Sequence, residues 1–207
     1  YVSRKKGPGW DEPEKLPKDV NLPRYSSTMP AVTTDPVKGN DVIYFVSDRK
    51  GGKGKNDIWY TVYNKKKKQY KPARNAGSKI NTPADELTPF YDHEARLLYF
   101  SSEGHGSLGG FDVFSARGAA GRWADVENIG VAINSGADEL YYTVAPGRKE
   151  GFFVSNRKGG NALANRTCCD DIYEYGIPGY SRVKIKGTVA DVLDESEKLQ
   201  DAVIDIY

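Results

Sequence analysis

Three glycine-rich loops in this sequence end in an aspartate, and a carboxylate placed there has two plausible uses. The three residues are Asp57, Asp112 and Asp171. Carboxylate oxygens are the usual ligands of Ca²⁺, so a divalent-cation site is one interpretation. The favoured interpretation is a turn network, because a carboxylate accepts hydrogen bonds from loop amides that no β-ladder satisfies, while glycines let the backbone curl around it. We therefore predict neither a metal nor a cofactor.

Fragments of catalytic motifs occur in the loops, but none is complete. Ser107 follows His105 in GHGSLGG, which is not the G-x-S-x-G nucleophile elbow and precedes a strand rather than a helix. The segment GKGK at 52–55 lacks the spacing of a phosphate-binding loop. His93 and His105 lie in different connections and form no two-histidine metal motif. We expect no catalytic residues and no enzymatic activity.

Two adjacent cysteines, Cys168 and Cys169, lie in the third loop. Neighbouring cysteines can close only a small strained ring, and two do not make a zinc site. A pair of thiols is the favoured interpretation, with a vicinal disulfide or a metal ligand pair as the alternatives.

The loops belong to a unit that the chain contains three times. Each unit reads as an apolar strand, a glycine-rich loop, an aspartate and a second apolar strand, over 42–60, 97–115 and 151–175. The equivalent residues Phe45, Phe100 and Phe153 are separated by 55 and 53 residues. A period of about 50 residues indicates a solenoid, an array or a propeller. The repeat also includes an aromatic residue eleven positions before an asparagine, at Trp10, Tyr70 and Trp123.

The composition of the 207-residue chain favours an all-β fold. Aromatic residues make up 12 %, and 22 Gly with 11 Pro favour short strands and tight turns over helices. The net charge is +2, from 30 basic and 28 acidic side chains. The overall charge therefore does not indicate binding to nucleic acid or to an anionic membrane. No segment approaches the roughly 20 apolar residues of a transmembrane helix.

Four strands in each complete copy predict a β-propeller of four-stranded blades that is incomplete in this chain. Residues 1–179 are predicted to be a half blade, over 1–21, and three blades, of which the third lacks its fourth strand. The chain starts inside a repeat, so we expect it to be a fragment. After residue 179 the period is lost, and the alternation at 182–191 and 202–207 predicts the first hairpin of a second β-domain at 180–207. The predicted strands are 29–33, 41–47, 57–62 and 70–75; 88–91, 96–101, 111–116 and 122–127; and 142–145, 151–155 and 171–175.

Blade topology predicts one charged face. Connections alternate between the two ends of an antiparallel blade, so the glycine-rich loops share an end with the connections into each first strand. Eight charged residues should gather there, either to contact a partner or to solvate a rim: Arg49, Lys50, Asp85, Glu86, Asp138, Glu139, Arg157 and Lys158. The outer-strand aromatics Trp10, Tyr70 and Trp123 are expected to cover the blade edges.

The repeat resembles a known family. Its pattern of Phe-x-Ser followed by Asp, Glu or Asn, then a Gly-Gly loop and Asp-Ile/Val-aromatic, is similar to the PD40 (WD40-like) repeat of TolB-type β-propellers over 1–178. The tail, KGTVAD to LQDAVIDIY, resembles the start of a carboxypeptidase-regulatory-like domain, an Ig/transthyretin-like β-sandwich. This domain order is similar to that of Bacteroidetes OmpA-family proteins, which include a component of the type IX secretion system and end in a peptidoglycan-binding domain that this sequence does not contain.

The resemblance implies a non-catalytic scaffold in the periplasm, associated with the outer membrane. Its expected partners are other envelope or secretion-complex proteins, and peptidoglycan through a domain outside this chain; neither nucleic acid nor a transmembrane segment is expected. Two alternatives are a substrate-gating propeller of a hydrolase, since similar repeats cap some serine peptidases, and a module that binds cell-wall glycan.

Overall fold

The structure is a computed structural model that describes residues 1–35, 38–147, 150–160 and 170–176. These residues form fourteen β-strands and no helix, which confirms the prediction of an all-β chain. The chain divides into two units, Tyr1–Ile177 and Pro178–Tyr207. The predicted second β-domain at 180–207 lies outside the described residues, as do Cys168 and Cys169.

The N-terminal segment forms a small hairpin. Strands β1 (Lys5–Lys6) and β2 (Gly9–Trp10) pair antiparallel, and Val2 forms an isolated bridge with Glu14. Two longer strands were expected within 1–21. Pro13 and Pro17 interrupt the second of them, because proline has no N–H to donate to a β-ladder.

The first repeat forms one antiparallel sheet. It contains β3 (Thr28–Thr34), β4 (Asp41–Ser47), β5 (Asp57–Asn64) and the short β6 (Gln69–Tyr70), while β7 (Arg74–Asn75) also pairs with β5. The predicted strand 70–75 is therefore split, and Pro72 lies in the gap, where it can donate no ladder hydrogen bond.

The second and third repeats form sheets of the same topology. The second contains β8 (Glu86–Asp92), β9 (Leu97–Ser102), β10 (Asp112–Ala119) and β11 (Arg122–Asn128). The third contains β12 (Glu139–Val144), β13 (Glu150–Ser155) and β14 (Asp171–Gly176), and the described residues hold no fourth strand for it. Apart from β7, neighbouring strands follow chain order in all three sheets, as the repeat predicts.

The first strand of each sheet carries a bulge at the same place. Met29, Thr88 and Tyr141 have φ of +50°, +48° and +52°, and the register of each first strand shifts there. A left-handed backbone is uncommon outside glycine, most of all for a β-branched residue such as Thr88. Its occurrence at three equivalent positions makes the bend part of the repeated unit.

The core consists of three hydrophobic clusters between successive layers. One joins the first and second sheets around Tyr44, Phe100 and Trp123. The next joins the second and third sheets through Tyr99 and Phe153. A third packs Val20, Phe45 and Trp59 together, so the first sheet also buries its other face against the N-terminal segment. Each sheet thus stabilises its neighbours, and none of the three buries its apolar residues alone.

The three repeat aromatics differ in environment. Trp123 is buried, its ring centroid is 5.9 Å from that of Tyr44, and its Nε1 donates to the Ala76 carbonyl at 2.9 Å. Tyr70 is half-buried, and its ring packs at a tilt against that of Tyr63, with the centroids 4.8 Å apart. Trp10 is 70 % exposed, which corrects the expectation that it covers a sheet edge. Its hairpin has only two strands, and among the described residues its ring joins no hydrophobic cluster.

Candidate functional site

The loop aspartates hold their own loops closed. The Asp57 carboxylate accepts hydrogen bonds from the backbone N–H groups of Lys53 and Gly54, the latter at 3.0 Å, and from the side chain of Asn75 at 2.8 Å. A Cβ on Gly52 would lie 2.3 Å from Asp57 Oδ2, so the loop can wrap the carboxylate only with glycine there. These are the contacts of the turn network.

Asp112 and Asp171 hold equivalent positions. Asp112 accepts from the Leu108 N–H at 2.7 Å and from Asn128 Nδ2 at 2.8 Å. A Cβ on Gly160 would lie 2.1 Å from Asp171 Oδ2, as close as the approach of Gly52 to its own aspartate. No group of three or more His, Cys, Asp and Glu side chains within the described ranges is arranged to hold a metal ion.

The side-chain amides of Asn81 and Asn134 bond to a strand backbone in the way that a neighbouring strand would. Asn134 accepts a hydrogen bond from the Val113 N–H and donates one to the Val113 carbonyl, both at 2.8 Å. Asn81 makes the same pair of bonds to Ile58, at 2.8 and 2.9 Å. Each amide also donates to the asparagine that binds the loop aspartate, Asn128 or Asn75. The fixed spacing to the preceding aromatic marks these asparagines in the sequence, although their role was not predicted.

Arg49 is an internal cross-link and does not face a partner. It is only 6 % exposed, and its guanidinium donates to the carbonyls of Asp19 and Val20 and to the hydroxyls of Ser27 and Ser47. Its Cζ lies 4.8 Å from the Phe45 ring centroid. Burial lowers the pKa of this guanidinium from its ordinary value. The expectation that Arg49 faces a partner is therefore corrected.

Arg157 and His105 occupy the equivalent place in the other two repeats. Arg157 donates to the Ile133 carbonyl and lies 4.7 Å above the Phe153 ring. His105 Nε2 is 2.9 Å from the Ile80 carbonyl oxygen, and its ring is 5.1 Å from that of Phe114. The imidazole thus takes over the position of a guanidinium. Ser107 instead bonds the Gly109 carbonyl, so the two motif residues do not act together. The Ser-x-Arg tripeptides at 47–49 and 155–157 are the sequence signal for this position.

Glu86 and Glu139 are fully buried, which corrects the expectation that they face a partner. Glu139 accepts from Ser135, Ser155 and Arg157, the last an ion pair at 2.9 Å. Glu86 accepts equivalent bonds from Thr82 and Ser102, but Gly104 stands where the arginine would be. Burial raises the pKa of the Glu86 carboxyl, and the hydrogen bonds from Thr82 and Ser102 offset only part of that effect.

The free energy of unfolding of Glu86→Gln, relative to that of wild type, should increase as pH rises. A carboxyl with a raised folded-state pKa loses its proton first in the unfolded state, whose pKa is about 4.3, so its presence lowers stability above that pH. Urea unfolding of wild type and Glu86→Gln at about pH 4 and about pH 7 measures the difference. Glu103→Gln, an exposed residue beside the same loop, is the matched control for loss of a carboxyl. A difference no more pH-dependent than that of the control contradicts the prediction.

The remaining four predicted residues differ in exposure. Asp85 accepts from Asn56 N at 2.9 Å and Asp138 accepts from Phe111 N at 2.9 Å, so each fastens a loop to the following connection. Lys50 and Lys158 are exposed. The end of the sheets that carries the three loops, called here the glycine-loop face, therefore presents Lys50 and Lys158 to solvent, with Asp85 and Asp138 partly accessible.

One cleft on this face has a volume of about 810 Å³. Asp138, Arg157 and Lys158 come together there, with residues of the connection into β12. The Ser135 hydroxyl in its wall donates to Glu139 at 2.6 Å, and none of the described lining residues is a histidine or a cysteine. The described lining residues can bind polar or charged groups, and among them no nucleophile is paired with a base.

No protein-family model matches the chain, and no curated protein was found to be similar to it. Within the part of the chain that the structure describes, no helix has the length and apolarity that a membrane crossing requires.

Proposed function

We propose that this chain is a non-catalytic interaction module built as part of a β-propeller of four-stranded blades. Three antiparallel sheets of one topology succeed one another along the chain, and their first strands are neighbours, β3 beside β8 and β8 beside β12. The hydrophobic clusters lie between successive sheets, as they do between propeller blades. These features support the propeller arrangement.

One observation carries the proposed function: among the described residues, the loop carboxylates, guanidinium groups and imidazole that are best suited to chemistry are committed to internal bonds. Asp57 and Asp112 hold loops, Arg49 and His105 bond backbone carbonyls, and Glu139 binds Arg157. A catalytic group needs a free proton-transfer or nucleophilic position. What the glycine-loop face offers instead is a rigid surface with exposed lysines and a polar cleft, which suits contact with another molecule.

The location and partners follow from the resemblance to PD40 repeats and to OmpA-family proteins. We infer a scaffold in the periplasm, associated with the outer membrane and, through a domain outside this chain, with peptidoglycan. Its partners would be other envelope proteins, specifically those of type IX protein secretion. A rigid platform of this kind would hold the components of a larger complex at fixed positions.

Crosslinking of the full-length protein in its native envelope, followed by mass spectrometry, tests this function. The expected result is recovery of outer-membrane secretion components with crosslinks from Lys50 or Lys158. Detection of a hydrolase domain in the same polypeptide would favour the gating alternative instead. Recovery of cell-wall fragments without any protein would favour the glycan-binding alternative and contradict the scaffold.

A further inference from the structure

A second surface lies at the end of the sheets opposite the glycine-loop face. One cleft of about 360 Å³ is lined by Arg96, Arg117 and Arg122, around the buried Tyr91. A neighbouring cleft of about 410 Å³ is lined by Lys38, Lys71 and Arg74, and again by Arg122. Because Asp35, Ala120 and Arg122 line both, the two form one continuous depression, which we call the basic groove.

The charge of the basic groove is strongly one-sided. Six cationic side chains line it, and Asp35 is the only acidic residue among the described lining residues. All six cations belong to exposed residues. Within the described ranges, none of the six forms an ion pair, although five other pairs of surface side chains do. This concentration contrasts with the net charge of +2 for the whole chain, so the basic charge is local.

The turn between β10 and β11, which contributes Arg117 and Arg122 to the basic groove, is held rigidly. Tyr91 donates its hydroxyl to the Gly118 carbonyl at 2.9 Å, and the Ala120 N–H donates to the hydroxyl of Tyr44 at 3.0 Å. Gly118 has φ +134° and a Cβ there would lie 2.0 Å from the Arg122 carbonyl oxygen, so only glycine fits. Arg117 and Arg122 therefore project from a fixed backbone, which reduces the entropy lost on binding.

We propose that the basic groove binds an acidic segment of a partner polypeptide. Four of its six cations are arginines, whose planar guanidinium groups bind carboxylates through paired hydrogen bonds. Between the charges lie the apolar side chains of Val62, Pro72 and Ala119, against which aliphatic parts of a peptide can pack. The aromatic lining residues Tyr60 and Tyr91 are buried, so neither offers a ring on which a nucleic-acid base could stack.

This inference rests on the proposed function, because it gives the chemistry of one partner. The scaffold proposal and the groove proposal can be contradicted independently of each other, however. The scaffold is tested in native envelopes by crosslinks from Lys50 and Lys158, which lie on the other face. The groove is tested with purified protein and a defined probe.

The probe is a short fluorescein-labelled peptide of alternating Glu and Leu, with its Gln and Leu counterpart as the uncharged control. Binding to the full chain is followed by fluorescence anisotropy at low and at physiological salt. The triple variant Arg96→Gln, Arg117→Gln, Arg122→Gln should weaken binding by about tenfold or more, since three exposed charge pairs, each contributing up to about fivefold, are lost together.

A second triple variant, Lys5→Gln, Lys15→Gln, Lys18→Gln, removes the same number of charges from exposed residues outside the groove and should bind like wild type. The melting temperature of each variant establishes that it is folded. A second groove variant, Lys38→Gln with Lys71→Gln, should also weaken binding and guards against misfolding of the first. Equal losses in the groove and control variants, absence of binding by wild type, or tighter binding of an oligothymidylate than of the acidic peptide would each overturn the proposal.

Discussion

Replacing Asn134 by alanine should destabilise the chain by about 2–4 kcal/mol, because it leaves the Val113 N–H without a hydrogen-bond partner in the core and removes one of the two donors to the Val113 carbonyl. Asn134 is 2 % exposed, so water cannot replace the lost amide. A buried unsatisfied backbone N–H costs about 1–3 kcal/mol, and the lost second bond to the carbonyl, which keeps the Ile129 N–H at 3.2 Å, costs about 1 kcal/mol more. Urea unfolding, with the midpoint and slope both fitted, measures the loss.

Asn21→Ala is the matched control for this substitution. Asn21 occupies the same repeat position, but it is half-buried, and its side-chain amide donates to the Leu16 carbonyl, at 2.9 Å, rather than to a strand. Its replacement should cost no more than about 1 kcal/mol. Equal losses for the two variants would show that the asparagines do not act as strand partners.

Replacing Gly54 by alanine should have the second large effect, a destabilisation of about 1–3 kcal/mol through overpacking. An added Cβ would lie 2.1 Å from the Ala84 carbonyl oxygen and 2.6 Å from that of Thr82. Both oxygens belong to the connection that enters the second sheet, and a backbone cannot turn aside as a flexible side chain can. The first loop and the second sheet would have to separate.

Gly106→Ala is the control for Gly54, because nothing lies within 4 Å of a Cβ built there and neither glycine has a positive φ. Gly109, whose Cβ would lie 2.5 Å from the Ala137 carbonyl oxygen, should respond like Gly54. Thermal unfolding of the three variants measures the effect. A cost at Gly106 equal to that at Gly54 would mean that the close approach between loop and neighbouring sheet contributes nothing.

Most strands could be predicted from the sequence, because apolar spacing and turn residues are local. The strand 41–47 was predicted with the bounds of β4, and 57–62 falls within β5. The prolines at 13, 17 and 72 limit pairing that the repeat pattern alone extends too far. Their effect is also local, because proline has no N–H to donate to a β-ladder, so the sequence itself indicates the shorter strands.

The direction in which charged side chains point could not be predicted in the same way. Arg49 and Glu139 are charged residues beside loops, a pattern that is typical of a solvated rim. Their burial depends on groups distant in sequence, such as the Val20 carbonyl for Arg49 and the Arg157 guanidinium for Glu139. Repeat spacing identifies equivalent positions but does not show which of their side chains are paired inside the fold.

Site-specific photocrosslinking in the native envelope tests most directly whether the glycine-loop face contacts a protein. A benzoylphenylalanine residue replaces Lys50 or Lys158 in the full-length protein, and replaces Asp125 as a control. The Asp125 side chain is 93 % exposed on the outer strand β11, away from that face. We predict that positions 50 and 158 form adducts with envelope proteins of the same complex, and that position 125 does not. Adducts at neither loop position, or equally at all three positions, would contradict a specific contact at this face.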